Sequence, residues 1–251
     1  MAEAKPFDWL TARPIAHRGL HDDAAGVIEN TAAAVTAAIA GNYGIEIDLQ
    51  ISADGEAMVH HDDVLGRLTE GSERLDHLTA AALQKVAFRG STARMMTLGD
   101  LCDLVAGRVT VLVELKSRFD GDDRLPARVA TILSGYSGAI AAMSFDPAQL
   151  MALRRRAPAL PRGVVAAKYR PHPYYDRMSP WLRHTMGSLI PAAAARPSFV
   201  AYGINDLPAL APLVARHILC LPLLTWTVRT NAERQRAARY ADQIIFEGFQ
   251  P

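Results

Sequence analysis

Short runs rich in apolar and β-branched residues alternate with longer, alanine-rich runs of helical periodicity along almost the whole 251-residue chain. This alternation is typical of βα units that build a parallel sheet. No Ser/Gly-rich linker interrupts it, which favours one closed (β/α)8 barrel, an α/β fold, over an open doubly wound sheet. The predicted strands are residues 14–16, 44–51, 109–116, 139–145, 163–167, 199–203, 221–227 and 243–247.

Helical periodicity fills the gaps between these strands. It predicts one helix over residues 29–40, with Asn30 as its N-cap, and another over 146–156 that begins with an Asp-Pro pair. The connection over residues 62–97 is too long for a simple βα unit and follows a short strand, AMVHH. We expect a small insertion after the second barrel strand, extending over the barrel mouth, within a single domain of residues 1–251.

Charge and composition exclude several classes of protein. Lys and Arg number 27 against 26 acidic residues, so the chain lacks the basic surface expected for binding nucleic acid or an anionic membrane. The longest apolar stretches, such as 218–224, are far shorter than the ~20 residues of a membrane span. The first 14 residues do not resemble a secretory signal. We therefore expect a cytoplasmic protein without stable membrane insertion.

Cys102 and Cys220 lie in apolar segments and are predicted to be reduced core thiols.

The first predicted strand ends in the sequence Ala16-His17-Arg18-Gly19. The carboxyl ends of barrel strands form the active-site face of such enzymes. A guanidinium binds a pair of phosphate oxygens, and histidine transfers protons near neutral pH. Alone, the tripeptide His17-Arg18-Gly19 is more often an ordinary surface cluster.

Two carboxylates share one face of the second strand. Glu46 and Asp48 are two residues apart, whereas Ile45, Ile47 and Leu49 point to the other side. Burying two like charges requires a cation or a proton, and carboxylate oxygens suit Mg²⁺ or Ca²⁺. An exposed strand with two solvated acids is the alternative. The continuously apolar face must pack on helices, however, and this favours an interior site.

The third strand candidate repeats the pattern. Glu114 and Lys116 lie on one face of an otherwise apolar strand. A buried ion pair would explain them without any function. Together with Glu46 and Asp48, however, Glu114 completes a three-carboxylate site, and Lys116 supplies positive charge for a bound phosphate.

A pair of adjacent histidines, His60 and His61, ends the short strand and precedes two aspartates. Neighbouring side chains of a strand point to opposite sides, so only one of the two histidines is expected in the pocket. The other histidines have no comparable setting and are predicted to be surface or helix residues: His21, His77, His172, His184 and His217.

Taken in order, these segments resemble the glycerophosphodiester phosphodiesterase family. The resemblance implies a (β/α)8 barrel with a small insertion after the second strand. The motifs are AHRG at 16–19, ENT at 29–31, E-x-D at 46–48, HHDD at 60–63 and VELK at 113–116, continued by MTLGDL at 96–101, SFDPAQL at 144–150 and TWTV at 225–228.

The resemblance also implies a role for each motif residue. His17 and His61 would be the general acid–base pair, since the family's histidine directly precedes an aspartate, and His60 would be a bystander. Glu46, Asp48 and Glu114 would bind a divalent metal ion, Mg²⁺ or Ca²⁺. The remaining implied contacts are Arg18 and Lys116 to the phosphate, and Glu29 and Asn30 supporting the first loop near the metal or phosphate. Apart from the resemblance, Trp226 is a candidate ligand contact, although such a tryptophan is more often a core residue.

The expected activity is hydrolysis of a small-molecule glycerophosphodiester to glycerol 3-phosphate and an alcohol. The alternatives are a lyase that releases a cyclic phosphate and a catalytically silent barrel that binds a phosphodiester. Two departures from the family pattern lie near the C-terminus. Arg229 stands where the family usually has asparagine, and the last strand contains Glu247 in an altered motif. Both positions would shape the alcohol-binding side of the mouth, so we expect Arg229 and Glu247 to accept a different polar head.

Overall fold

The computed structural model describes residues 7–171 and 175–251. Within these ranges, eight parallel strands close into a barrel, because β1 pairs with both β2 and β9. The (β/α)8 barrel predicted from the sequence is confirmed. The strands are β1 (Ile15–Ala16), β2 (Gly44–Ile51), β3 (Ala57–Val59), β4 (Val111–Leu115), β5 (Ile140–Ser144), β6 (Arg162–Ala166), β7 (Phe199–Gly203), β8 (Leu223–Val228) and β9 (Gln243–Phe246), of which β3 is the antiparallel neighbour of β2 outside the barrel.

Helices connect the barrel strands, together with short 3-10 turns. None of the helices in the described ranges is long and apolar enough to cross a membrane. They are α1 (Asp8–Thr11), α2 (Ala32–Ala40), α3 (Ala80–Leu83), α4 (Leu98–Val105), α5 (Arg124–Leu133), α6 (Pro147–Arg156), α7 (Pro180–Thr185), α8 (Leu210–His217) and α9 (Asn231–Tyr240).

The two predicted helix starts had different outcomes. Helix α6 begins as expected, with the Asp146 side chain accepting a hydrogen bond from the backbone N–H of Ala148. The predicted N-cap of α2 is wrong by one residue. Thr31 caps that helix through its hydroxyl, while Asn30 has a positive φ of 57° and turns its side chain to Asp48. The asparagine side chain therefore hydrogen-bonds inside the barrel and does not cap the helix.

Alternate residues of each strand face opposite sides of the barrel wall. The outward residues Ile45, Ile47 and Leu49 of β2 are fully buried in the core between strands and helices. Inward residues, such as Ile15 of β1, pack together within the barrel. Leu10 of α1 joins this inner cluster with no solvent exposure and closes the end of the barrel where the strands begin.

The connection after β3 has a small apolar core of its own. Strand β3 pairs with β2 through Leu49 and Val59, and the following segment folds back beside it. Asp62 and Asp63, at the start of this segment, line the cavity at the strand ends. The buried members of its core are Met58, Leu65, Leu75, Leu83, Phe88 and Met95.

The two cysteines are free thiols and differ in environment. Cys102 in α4 is half-buried, and burial raises its pKa to about 11. Cys220 is exposed in the turn after α8, with a positive φ of 53°. The prediction of a core thiol at Cys220 is wrong, because the apolar residues around it belong to a surface turn rather than to a strand.

Candidate active site

A cavity of about 780 Å³ opens at the carboxyl ends of the barrel strands. Each strand contributes residues that follow its last inward apolar position, because inward-facing residues recur at every second position. Strand β1 leads into His17, β2 contributes Glu46, and β4 contributes Glu114 and leads into Lys116. Trp226 of β8 lies on the same wall.

Three carboxylates meet at this end of the barrel. Glu46, Asp48 and Glu114 each place one oxygen within 4.8 Å of the others, and they are 1%, 1% and 7% exposed. Burial raises the pKa of Glu46 well above its ordinary value, and the charges of Asp48 and Glu114 add to this effect. Burial would also raise the pKa of Asp48, but Lys116 and Arg18 outweigh it and hold that pKa well below the usual range.

Two cations flank the carboxylates. The ammonium of Lys116 lies 2.7 Å from an oxygen of Asp48 and 2.7 Å from an oxygen of Glu114. Arg18 approaches Asp48 from the other side, with its Nε 3.2 Å from Oδ2, and its backbone N–H donates to Glu46 at 3.0 Å. The buried ion pair considered from the sequence is therefore present within the three-carboxylate cluster.

Glu29 and Asn30 support this arrangement from the loop before α2. Asn30 donates its amide to Asp48 Oδ2 at 2.9 Å and accepts the backbone N–H of Asp48 at 3.2 Å. Glu29 lies between Arg18, at 2.9 Å, and Arg67, at 2.6 Å. Asn30 therefore holds the acid cluster directly, whereas Glu29 holds the two arginines beside it.

His17 has a carboxylate partner on one ring nitrogen. Its Nδ1 lies 2.6 Å from Glu247 Oε2, and its Nε2 points toward Glu46, 4.0 Å from Oε2. Burial lowers the pKa of His17, against the hydrogen bond to Glu247, which raises it. That hydrogen bond lowers the pKa of Glu247 to about 2. A neutral His17 that donates its Nδ1 proton to Glu247 therefore offers a free lone pair on Nε2.

His61, which also lines the cavity, has a similar setting. Its Nδ1 lies 2.7 Å from Asp62 Oδ1, and Asp62 in turn accepts a hydrogen bond from Arg67 at 2.5 Å. Burial would raise the pKa of Asp62, but these two hydrogen bonds hold it far below its ordinary value. His60 is turned away from the cavity, 2% exposed, with its ring 6.3 Å from that of Phe88.

Aromatic and basic residues form the rest of the cavity wall. Trp226 packs edge-on against Phe145 at 5.4 Å and donates its indole N–H to the carbonyl of Ala201 at 3.1 Å. It is therefore both a packed tryptophan and a wall residue. Arg118 and Arg177 share Asp63, at 2.7 and 2.8 Å.

Two residues near His17 have contacts that the sequence did not indicate. Glu247 binds His17 and lies 3.1 Å from Arg229, and its expected contact with a substrate head group stays a prediction. The sequence could have indicated an inward position for Glu247, because Glu247 lies two residues after the inward-facing Ile245. His21 was predicted to be a surface or helix residue, and this is wrong, because its Nε2 is buried and a ring nitrogen lies within 4.8 Å of ligand atoms of His17 and Glu247. Of the other histidines in that prediction, His77, His184 and His217 are exposed, and His172 lies outside the described residues.

The fold and the site define a class of protein: a (β/α)8 barrel that gathers acids, cations and two carboxylate-bound histidines at its strand ends. The sequence model of the glycerophosphoryl diester phosphodiesterase family matches residues 17–246. The chain belongs to this family.

Individual relatives agree with this assignment. The bovine (Bos taurus) glycerophosphodiester phosphodiesterase 1 is 42% identical over 87 residues, which are 34% of this chain and only 25% of that protein. The glycerophosphodiester phosphodiesterase of Caldanaerobacter subterraneus is 27% identical over 194 residues, 67% of this chain and 78% of that one. A phosphodiesterase of Oleispira antarctica, solved with the product sn-glycerol-3-phosphate, shares the fold with a TM-score of 0.75 and 18% identity, over 95% of this chain and 94% of that chain.

Proposed function

We propose that this protein hydrolyses glycerophosphodiesters to glycerol 3-phosphate and an alcohol, with a divalent cation bound by Glu46, Asp48 and Glu114. The observation that carries the proposal is the buried three-carboxylate cluster at a cavity lined by two histidines that each have a carboxylate on Nδ1. A site that only bound a phosphodiester would have no need of two oriented proton-transfer groups.

The carboxylate cluster fits a hard divalent cation such as Mg²⁺ or Ca²⁺. All three donors are carboxylates, and no described residue hydrogen-bonds to the buried Oε1 of Glu46. Burial, together with the charges of Asp48 and Glu114, raises the pKa of Glu46, and a bound cation would offset both effects. When bound, the cation would draw charge from the non-bridging phosphate oxygens.

Arg18 and Lys116 add positive charge beside the same oxygens. Both line the cavity, and each is held in place by Asp48. We infer that they bind the phosphate, because a guanidinium offers paired donors and an ammonium a compact charge. Their contacts with the acids fix their positions before substrate enters, which reduces the ordering that binding requires.

The histidines divide the proton transfers. His17 donates its Nδ1 proton to Glu247, and its Nε2 points toward Glu46 of the carboxylate cluster. Nε2 can therefore accept a proton from the attacking hydroxyl. His61, held by Asp62, then donates a proton to the leaving alkoxide. The attacking hydroxyl is water in direct hydrolysis, or the glycerol hydroxyl of the substrate if the reaction passes through a cyclic phosphate.

The cavity has room for an alcohol as well as the glycerol phosphate. Its volume of about 780 Å³ lies in the range of pockets that hold ligands larger than glycerol phosphate. Phe145, Tyr175 and Trp226 line it beyond the carboxylates. We infer that the alcohol packs against these rings.

Phosphorus NMR of the products tests the proposal. Purified protein with Mg²⁺ or Ca²⁺ should convert glycerophosphocholine or glycerophosphoinositol to glycerol 3-phosphate, and a chelator should stop turnover until the cation is returned. His17→Ala and His61→Ala should each lower kcat by about 10² to 10⁴-fold, whereas His77→Ala, at an exposed position, should not. Full activity in both cavity variants would contradict the mechanism. Accumulation of a cyclic phosphate would favour the lyase, and binding without turnover would favour the silent barrel.

A further inference from the structure

A second set of possible metal ligands lies on the opposite side of His17 from the carboxylates. His17, His21 and Glu247 each place one ligand atom within 4.8 Å of the others. The three side chains are partly buried, at the ends of β1 and β9. The proposed hydrolysis makes no use of His21.

Each histidine contributes one ring nitrogen to this set. His17 presents Nδ1 to Glu247, whereas its Nε2 points toward Glu46. His21 has its Nε2 buried, and nothing in the described parts of the chain hydrogen-bonds to it. A buried ring nitrogen without a partner is costly, and a metal ion bound to that nitrogen would remove the cost.

The chemistry of the donors distinguishes this set from the carboxylate cluster. Two imidazoles and one carboxylate are a common protein ligand set for Zn²⁺, with a fourth position left to water. Imidazole nitrogen favours Zn²⁺ and its transition-metal neighbours, whereas Mg²⁺ and Ca²⁺ prefer oxygen. The two sets should therefore select different cations.

We propose that His17, His21 and Glu247 form a second metal site, selective for Zn²⁺ over Mg²⁺ and Ca²⁺, and that its occupation inhibits the enzyme. Binding replaces the proton between His17 Nδ1 and Glu247, and that proton leaves to solvent. The two atoms must separate from 2.6 Å to about 3.3 Å, the spacing set by bonds of ~2.0 Å in a tetrahedral site.

Inhibition follows because His17 is both a ligand of this second site and the proposed general base. A metal ion on Nδ1 disfavours protonation of Nε2 on the same ring, so the ring becomes a poor general base. This consequence rests on the proposed hydrolytic function, whereas the binding of Zn²⁺ does not.

Calorimetric titration with Zn²⁺ in saturating Mg²⁺ tests the site directly. We expect one Zn²⁺ per chain, and a dissociation constant at least about tenfold weaker in His21→Ala, which loses one of three protein ligands. His77→Ala, which removes an exposed histidine elsewhere, is the matched control and should bind as the wild type does. Unchanged Zn²⁺ affinity in His21→Ala would overturn the proposal.

Two further measurements separate this site from the carboxylate cluster and from the proposed function. Co²⁺ should give the visible absorption of a tetrahedral nitrogen–oxygen site in the wild type and not in His21→Ala; an identical spectrum would contradict the site. In assays with Mg²⁺, His21→Ala should keep its basal kcat while Zn²⁺ inhibition weakens at least about tenfold. If the protein has no phosphodiesterase activity, the calorimetric result still decides whether the site exists.

Discussion

The same strands build both ends of the barrel interior, but one end is apolar and the other is charged. Where the strands begin, Ile15 and Ile245 pack with Leu10 of α1 in a closed apolar cluster. Two residues further along the same faces, His17 lines the open cavity and Glu247 hydrogen-bonds to it. A distance of two residues along an inward-facing strand surface therefore separates the apolar region from the charged region.

This difference is energetic as well as chemical. Full burial of a large apolar side chain stabilises the fold by about 1.5–3 kcal/mol. The buried acids have the opposite effect, because burial, together with the charges of Asp48 and Glu114, raises the pKa of Glu46 well above its ordinary value. We therefore expect substitutions at the closed end to change stability, and substitutions at the open end to change activity.

Glu46→Gln should produce the largest effect, on activity. Loss of one carboxylate ligand should lower kcat at least about 10³-fold, or about 4 kcal/mol in the activation free energy. The same change removes a repulsive charge, so the free energy of unfolding without divalent cations should stay equal or rise by about 1 kcal/mol. Enzyme assays and urea denaturation of the same samples measure both quantities.

Added Mg²⁺ or Ca²⁺ provides the control for that variant. A cation that binds only the folded state stabilises it by mass action, so wild-type protein should gain stability and Glu46→Gln should gain much less. Equal cation-dependent stabilisation in both proteins would show that Glu46 does not bind the metal.

Leu10→Ala should have its effect at the closed end. Leu10 is fully buried, and its truncation leaves a cavity that should cost about 2–5 kcal/mol of unfolding free energy. In contrast to Glu46→Gln, kcat at a temperature where the protein is folded should remain within about twofold. A stable variant with greatly reduced kcat would show that the two ends are not independent.

The sequence predicted the barrel and the inward acids because both depend on periodicity. The alternation of strands and helices gives the fold, and the spacing of Glu46 and Asp48 fixes which face they share. Side-chain partners across the barrel depend instead on closure. Glu247 meets His17 because β9 pairs with β1, 230 residues away in sequence, and no local pattern specifies that contact.

Local prediction also failed where tertiary contacts override local preference. Asn30 is a good N-cap by residue type, but its amide is used by Asp48 and Thr31 caps the helix. His21 lies in the loop after β1, two residues after Gly19, and resembled a surface residue. Leu20 donates its backbone N–H to the carbonyl of Ala34 in α2, and the fold brings His21 next to His17.

His60→Phe should reveal the contrast between the two adjacent histidines through pH. Burial lowers the pKa of His60 to about 4, so between that value and the unfolded pKa of about 6.5 the unfolded chain binds more protons. Wild-type stability should therefore fall as the pH drops through this window, by about 3 kcal/mol at most from this residue. Phenylalanine, which packs beside Phe88 without titrating, should make the fall shallower. Urea denaturation at pH 7 and pH 4.5 measures the difference, and parallel pH profiles would contradict it.

Arg229→Asn, which restores the residue usual in the family, should have the smallest effect at the open end. The Arg229 side chain is 55% exposed, and its pair with Glu247 spans 3.1 Å, so the interaction is worth about 1 kcal/mol or less. We expect kcat to change by less than about fivefold. Glu247→Gln is the comparison, because it weakens the hydrogen bond that orients His17 and should lower kcat far more. If Arg229→Asn were as damaging as Glu247→Gln, the guanidinium would have to act on the substrate itself rather than through the carboxylate.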